Sequence, residues 1–140
     1  MDLGLQNKVA IITGGSEGIG RATAWRLSKE GAKVAIAART KADLEATAAE
    51  ISADTGNEVI GVCVDVRDET AVAEMVHTVV ARWGGIDILV NNAGTSAALR
   101  FESMSNEALD EDFAIKVKGA IFCTRHALPH LKKSHGAICN

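Results

Sequence analysis

Thr13-Gly14-Gly15-Ser16-Glu17-Gly18-Ile19-Gly20 follows an apolar run, Val9–Thr13, and precedes a stretch with helical spacing. A strand, a glycine turn and a helix start in that order build an anion site. Backbone N–H groups point outward at the helix N-terminus, and the helix dipole favours a phosphate there. Glycine is needed where the chain turns with positive φ and where a side chain would block an approaching pyrophosphate. The spacing is Gly14-x-x-x-Gly18-x-Gly20 rather than Gly-x-Gly-x-x-Gly. A nucleoside triphosphatase loop requires Lys and then Ser or Thr after its last glycine, and Arg21-Ala22 fails that requirement. A turn that merely packs helix on strand is the alternative to a phosphate cradle.

Outward from this loop the pattern alternates between two periods. Short β-branched or alanine-rich runs recur at Lys33–Ala38, Glu58–Val64, Asp87–Asn91 and Gly136–Asn140. Such near-continuous runs suit strands buried on both faces of a parallel sheet. Between them, Ile19, Thr23 and Leu27 form one helical stripe, closed by Gly31. Leu44, Ala48 and Ile51 form a second behind a capping box, Thr40-x-x-Asp43. Val72, Met75, Val76, Val79 and Trp83 form a third, with Asp68 as N-cap. A fourth helix is expected from about Asn106 to Lys132, with Pro129 kinking or stopping it near its end. Leu109, Phe113, Val117, Ala120 and Thr124 run along it, as core or as a contact face. The order β-α-β-α-β-α-β-α-β, wound right-handedly, predicts an α/β fold: a doubly wound parallel sheet, with ligands at the carboxyl ends of its strands. It reads as a single domain over residues 1–140, truncated within the fifth strand and so incomplete at the C-terminus.

Composition narrows the class of function. The 140 residues are 47% hydrophobic and 24% charged, with 15 Lys plus Arg against 18 Asp plus Glu and a net charge of −3. A chain of this length buries roughly 68–70% of its unfolded surface. Mild acidity offers no footprint for nucleic acid or an anionic membrane. No apolar run approaches the roughly 20 residues that span a bilayer. Met1 to Lys8 lacks the apolar core of a signal peptide, so a cytoplasmic location is expected. Cys63, Cys123 and Cys139 are too scattered for a disulfide framework and read as small buried hydrophobes. Cys123, His126 and His130, at i, i+3 and i+7, offer a zinc alternative, but no carboxylate stands near them in sequence to support the imidazoles. No metal is expected. The chain holds no tyrosine, so a mechanism that needs a Tyr acid/base cannot run on it.

Three segments in order, the glycine loop, Asp65-Val66 after the third strand and Asn91-Asn92-Ala93-Gly94 after the fourth, resemble the short-chain dehydrogenase/reductase family. The resemblance runs from Lys8 to Asn140 and implies a Rossmann fold that binds NAD(H) or NADP(H). It implies an oxidoreductase that moves a hydride between the nicotinamide and a small carbonyl or alcohol substrate. By that resemblance Gly14, Gly18 and Gly20 approach the pyrophosphate with Ile19 beside them, and Thr13 and Ser16 belong to the same cofactor-binding set. Asp65 receives the adenine with Val66 against the ring; the segment Asn91-Asn92-Ala93-Gly94 borders the ribose, and its first residue, Asn91, braces the central sheet. A plain polar turn is the structural alternative for residues 91–94. Ala38 stands where members that use NAD carry Asp, and Arg39 follows it. A carboxylate there repels a 2′-phosphate and a guanidinium accommodates it, so the pattern resembles an NADP enzyme. Glu17, where many NADP-dependent relatives carry a basic residue, keeps NAD as the alternative, and Arg39 also reads as a solvated residue ahead of the second helix.

The family's Ser comes just after the fifth strand and its Tyr-x-x-x-Lys later, so none of the three falls within this sequence. The chain is expected to supply the cofactor-binding half and to be inactive alone. A non-catalytic nucleotide-binding or interaction module is the alternative. Lys116 stands at the family's Asn position, and a charged Lys cannot accept a hydrogen bond as an amide does. It reads as a snorkelling surface Lys, a substitute relay residue or a sign of decay. The segment Thr95–Ser103 is implied to line the near wall of the substrate pocket, and the full-length form is expected to be a homo-oligomer built partly on the fourth helix. An unfinished sheet exposes apolar surface, so the isolated chain is expected to associate. Light scattering checks this, and a monodisperse monomer would contradict it.

Overall fold

Five of the apolar runs become strands: β1 (Val9–Thr13), β2 (Lys33–Ala38), β3 (Val59–Cys63), β4 (Ile88–Val90) and β5 (Ala137–Cys139). The computed structural model, which describes residues 1–95 and 100–140, pairs them all in parallel in the order β3-β2-β1-β4-β5. The chain steps outward from β1 through β2 to β3, then crosses back to β4 and β5 on the other side of β1. That reversal is the doubly wound Rossmann arrangement, and it opens a crevice at the carboxyl ends of β1 and β4.

Helices α1 (Gly18–Lys29) and α2 (Lys41–Thr55) cover one face, and α3 (Glu69–Trp83) and α5 (Gly119–Ser134) cover the other. The period of two along each strand divides the core accordingly. Ala10, Ile12, Val34 and Ile36 meet Ala24, Leu44, Ala48 and Ile51, whereas Ile11, Ala35, Ala37 and Leu89 meet the α3 and α5 side chains. On α3, Val72, Met75, Val76 and Val79 are buried as their spacing predicts. On α1 the buried face is Gly20, Ala24 and Ser28, one position later than the expected Ile19-Thr23-Leu27 stripe. The helix lies so close to the sheet that only small residues fit beneath it, and Ile19 is 79% exposed. The edge strands also differ from expectation. β3 alternates between buried or half-buried and exposed positions, and β5 is exposed along its length, because each has a neighbour on one side only.

Local chemistry sets the helix ends. Asp68 caps α3, its carboxylate accepting from the N–H groups of Thr70 (3.0 Å) and Ala71 (3.2 Å). Gly31 and Ala32 donate back to the carbonyls of Ser28 and Leu27 and so close α1. The capping box expected at Thr40 does not form: Thr40 precedes α2 in extended conformation, but its side chain makes no cap hydrogen bond. The single fourth helix is likewise divided into α4 (Asn106–Phe113), a π-helical turn (Ala114–Lys118) and α5. Pro129 neither stops nor ends it, since α5 runs on to Ser134. Pro129 lies on the exposed side of the helix, while Cys123, Ala127 and Leu131 hold the inner side in the core. Leu109, Phe113 and Val117 are 45%, 57% and 40% exposed, so the stripe they begin is not core. Among the described residues no helix is long and apolar enough to cross a membrane.

Removing the Asp68 cap by Asp68→Ala is expected to lower stability by about 1 kcal/mol. Thr40→Ala, at an N-cap that makes no side-chain bond, should stay within about 0.5 kcal/mol. Urea unfolding of the two variants checks the contrast.

Candidate functional site

The crevice begins with the end of β1. Thr13 is buried, and its hydroxyl oxygen accepts from the N–H groups of Asn92 and Ala93, both at 3.0 Å. Asn92 returns the contact by donating from Nδ2 to the Gly14 carbonyl at 3.1 Å. Gly14 has φ +66, and a Cβ on it would stand 3.0 Å from the Ala93 Cα. Its N–H donates to the Ala37 carbonyl (2.7 Å), which ties the turn to β2 as well. A Cβ on Gly20 would lie only 2.1 Å from the Gly14 carbonyl oxygen, so α1 reaches this position only with glycine there. Glu17 precedes α1 without a side-chain cap bond, and no acidic residue occupies the first turn. The amide groups of that turn are therefore left for an anion.

Around this turn lies a cleft of about 560 Å³. Its walls are Gly14, Ser16 and Glu17 from the glycine loop; Ala38, Arg39 and Thr40 after β2; Val64, Asp65 and Val66 after β3; and Asn92, Ala93 and Gly94 after β4. Of the residues singled out in the sequence, Gly14, Ser16, Arg39, Asp65, Val66, Ala93 and Gly94 line it together. Thr13 and Gly20 are buried beneath, and Gly18 and Ile19 are exposed on the turn outside the lining. Asn91 also lies off the lining and spans three elements. From β4 its Nδ2 donates to Asn140 Oδ1 (2.8 Å) beyond β5 and to Thr124 Oγ1 (3.3 Å) on α5. Asn92, part of the segment 91–94 expected at the ribose, also lines the cleft, whereas the sequence did not single out Thr40, Asp43, Thr47 and Ile115 as cleft residues. Thr40 was hidden by its expected capping role, and its hydroxyl instead stands uncapped beside Arg39.

The charges are unevenly placed. Glu17, Asp43 and Asp65 line the cleft with a single cation, Arg39, which makes no ion pair among the described residues. Hydrogen bonds from the Arg67 guanidinium hold the Asp65 carboxyl below its ordinary pKa, so it stays ionised. Lys116 lies in the π-helical turn with its ammonium 3.0 Å from Asp112, and its stem runs beside Gly94. Thr95 donates to the same Asp112 at 3.0 Å; the rest of the expected pocket wall falls partly on residues 96–99, which lie outside the described residues. Among the described residues no group of three His, Cys, Asp or Glu side chains is placed to hold a metal ion. Cys123 is buried, which pushes its thiol up to about 11, and His126 lies 3.1 Å from Glu69 of α3. The groups that do converge, donor amides beside glycine, a donor guanidinium and an acceptor carboxylate, fit a phosphate-bearing nucleotide.

The sequence model of the short chain dehydrogenase family matches residues 8–140. Meso-2,3-butanediol dehydrogenase from Serratia marcescens is 37% identical over 134 residues, covering 96% of this chain and 52% of that protein. The chain spans about half the length of the curated relatives it matches. Among solved structures, L-sorbose reductase from Gluconobacter frateurii, complexed with NADPH and L-sorbose, superposes with a TM-score of 0.92 at 37% identity, covering 99% of this chain and 53% of that one. An alcohol dehydrogenase from the archaeon Thermococcus sibiricus, complexed with 5-hydroxy-NADP, superposes at 0.89 with 34% identity, over 95% of this chain and 57% of that one.

Thr13→Val keeps the shape of the side chain but leaves the two amides it accepts without a partner. The expected loss is about 2 kcal/mol, while Thr13→Ser should retain most of the stability. Denaturant midpoints at unchanged slope measure both.

Proposed function

The chain belongs to the short chain dehydrogenase family, and from that premise we propose that it is the NADP(H)-binding domain of an oxidoreductase acting on a small carbonyl or alcohol compound. The observation that carries the cofactor reading is the guanidinium of Arg39 on the cleft wall, without an ion pair among the described residues, next to an Ala38 that brings no carboxylate. The bound dinucleotide supplies the hydride chemistry. This chain's residues bind and orient it. Gly14, Ser16 and the amides that begin α1 hold the pyrophosphate, with Gly18, Ile19 and Gly20 shaping that turn above the support of Thr13. Arg39 and the Thr40 hydroxyl take the 2′-phosphate. Asp65 accepts from the adenine amino group, and Val66 lies against the ring. Ala93 and Gly94 border the ribose, and Asn91 braces the strand end that carries them. Support for NADP(H) comes also from the two solved relatives, which carry NADPH and 5-hydroxy-NADP. Glu17 and Asp43 on the same wall favour NAD(H) as the second reading.

The 140 residues hold no tyrosine, so we assign the proton donor of the reaction to no residue here. In this reading the chain is one cofactor-binding domain that does not turn over by itself. The same absence favours, as the runner-up, a nucleotide-binding or interaction module without catalysis. We read Lys116 as a snorkelling side chain, its charge on Asp112 and its stem beside Gly94. The exposed stripe of Leu109, Phe113, Val117 and Ile121 is the contact we assign to a homo-oligomer.

Calorimetric titration of the chain with each dinucleotide tests the cofactor. NADPH should bind at least about 10-fold more tightly than NADH, and Arg39→Met should remove most of that preference while leaving NADH within about 2-fold. Equal affinities in the parent chain would overturn NADP(H) in favour of NAD(H).

A further inference from the structure

We propose that Arg67, which stands outside the cleft lining, is a positioning residue for base recognition: it fixes the Asp65 carboxylate so that the cleft takes a base with an amino group and rejects one with an oxo group at that place. The inference rests on the reading of the cleft as a dinucleotide site with Asp65 at the adenine.

The geometry around Asp65 is unusually complete for a pair at the surface. Arg67 Nε lies 3.0 Å from Oδ1 and 3.1 Å from Oδ2, and Nη2 lies 2.6 Å from Oδ2. The Arg67 backbone N–H donates to Oδ1 as well, at 3.0 Å. A carboxylate side chain 33% exposed at a loop would otherwise sample several rotamers, and these contacts leave it one. The guanidinium is itself anchored: its Nη1 reaches Glu111 of α4 at 3.3 Å. Between the two residues, Val66 is pressed onto α5, where a Cβ on Gly119 would meet its Cγ2 at 2.7 Å. The three residues after Val64 are thus fixed from two helical segments, with Asp65 and Val66 presented to the cleft and Arg67 behind them.

An ionised carboxylate is an acceptor only, with about four lone-pair sites. Three Arg67 N–H groups engage both oxygens, and the acceptor capacity they leave serves the cleft. An amino group satisfies such an acceptor, whereas an oxo group brings a second acceptor against it. An exposed ion pair adds little to folding stability, so the consequence of losing Arg67 falls on recognition and not on the fold.

The experiment titrates the chain with NADPH and with its counterpart carrying hypoxanthine in place of adenine, in the parent and in Arg67→Met and Arg67→Lys. The parent should prefer the adenine form by about 10-fold or more. Arg67→Met should reduce the preference to about 2-fold or less while its melting temperature stays within a few degrees of the parent, and Arg67→Lys should restore part of it. A preference unchanged in Arg67→Met overturns the proposal. A parent that binds NADPH yet does not distinguish the two bases overturns it through Asp65, and a parent that binds neither overturns the dinucleotide reading beneath it. Should Arg67→Met fail to fold, Glu111→Gln, which frees the outer anchor alone, must still lower the preference.

Discussion

The approach of α1 to the end of β1 is the constraint on which the rest of the molecule depends. With the Gly20 Cα close enough that a Cβ would fall 2.1 Å from the Gly14 carbonyl oxygen, the helix start and the strand end share one small volume. The contact is backbone against backbone, and the Asn92 side chain that donates to the same Gly14 carbonyl locks it from the β4 side. The Thr13 hydroxyl then binds this unit to β4 through two amides, and the Ala37 carbonyl binds it to β2. Three strand ends that are distant in sequence thereby hold a common level. A cleft built on that level inherits its rigidity.

Along the cleft the chemistry is graded. At one end stand outward amides and glycine, in the middle the Arg39 guanidinium, and after β3 a carboxylate kept ionised by its own arginine. Arg39 contributes to that ionisation through space, which links the two walls electrically. A ligand that carries both phosphate and a hydrogen-bond donor satisfies all of these groups in one orientation only. Orientation, more than affinity, is what a domain of this kind contributes to a hydride transfer, since the reacting carbon must meet its partner on one face.

Much of this was legible in the sequence. The strands were readable because buried parallel strands are near-continuous apolar runs, and the glycine loop because few backbones other than a strand-turn-helix use that spacing. The residues that escaped did so for physical reasons. Ile19, Thr23 and Leu27 have perfect helical spacing, yet the contact with the sheet is so tight that it selects Gly20, Ala24 and Ser28, residues that a hydrophobic stripe does not register. Thr40 and Asp43 have the spacing of a capping box, but both face the cleft. Pro129 reads as a stop, yet the burial of α5 outweighs one lost hydrogen bond on the wet side. Arg67 carried no signal at all, because its importance lies in a partner two residues away whose side chain it faces only after the loop has turned.

The π-helical turn at Ala114–Lys118 carries a consequence for how this chain tolerates change. Such a turn holds one residue more than the regular helix would, and one residue is worth about 100° of rotation about the axis. Because the turn absorbs that residue, α4, which buries nothing, and α5, whose Gly119, Cys123, Ala127 and Leu131 are buried, keep the phase of one continuous helix. Deleting a single residue from the turn would relax it to regular α-helix and leave those four positions facing inward. The same deletion inside α5 has no such slack: it would rotate the positions before it by about 100° against those after it and carry Gly119 off Val66 at the cleft wall. The turn is thus the place in this helix where the chain can change length and keep its fold.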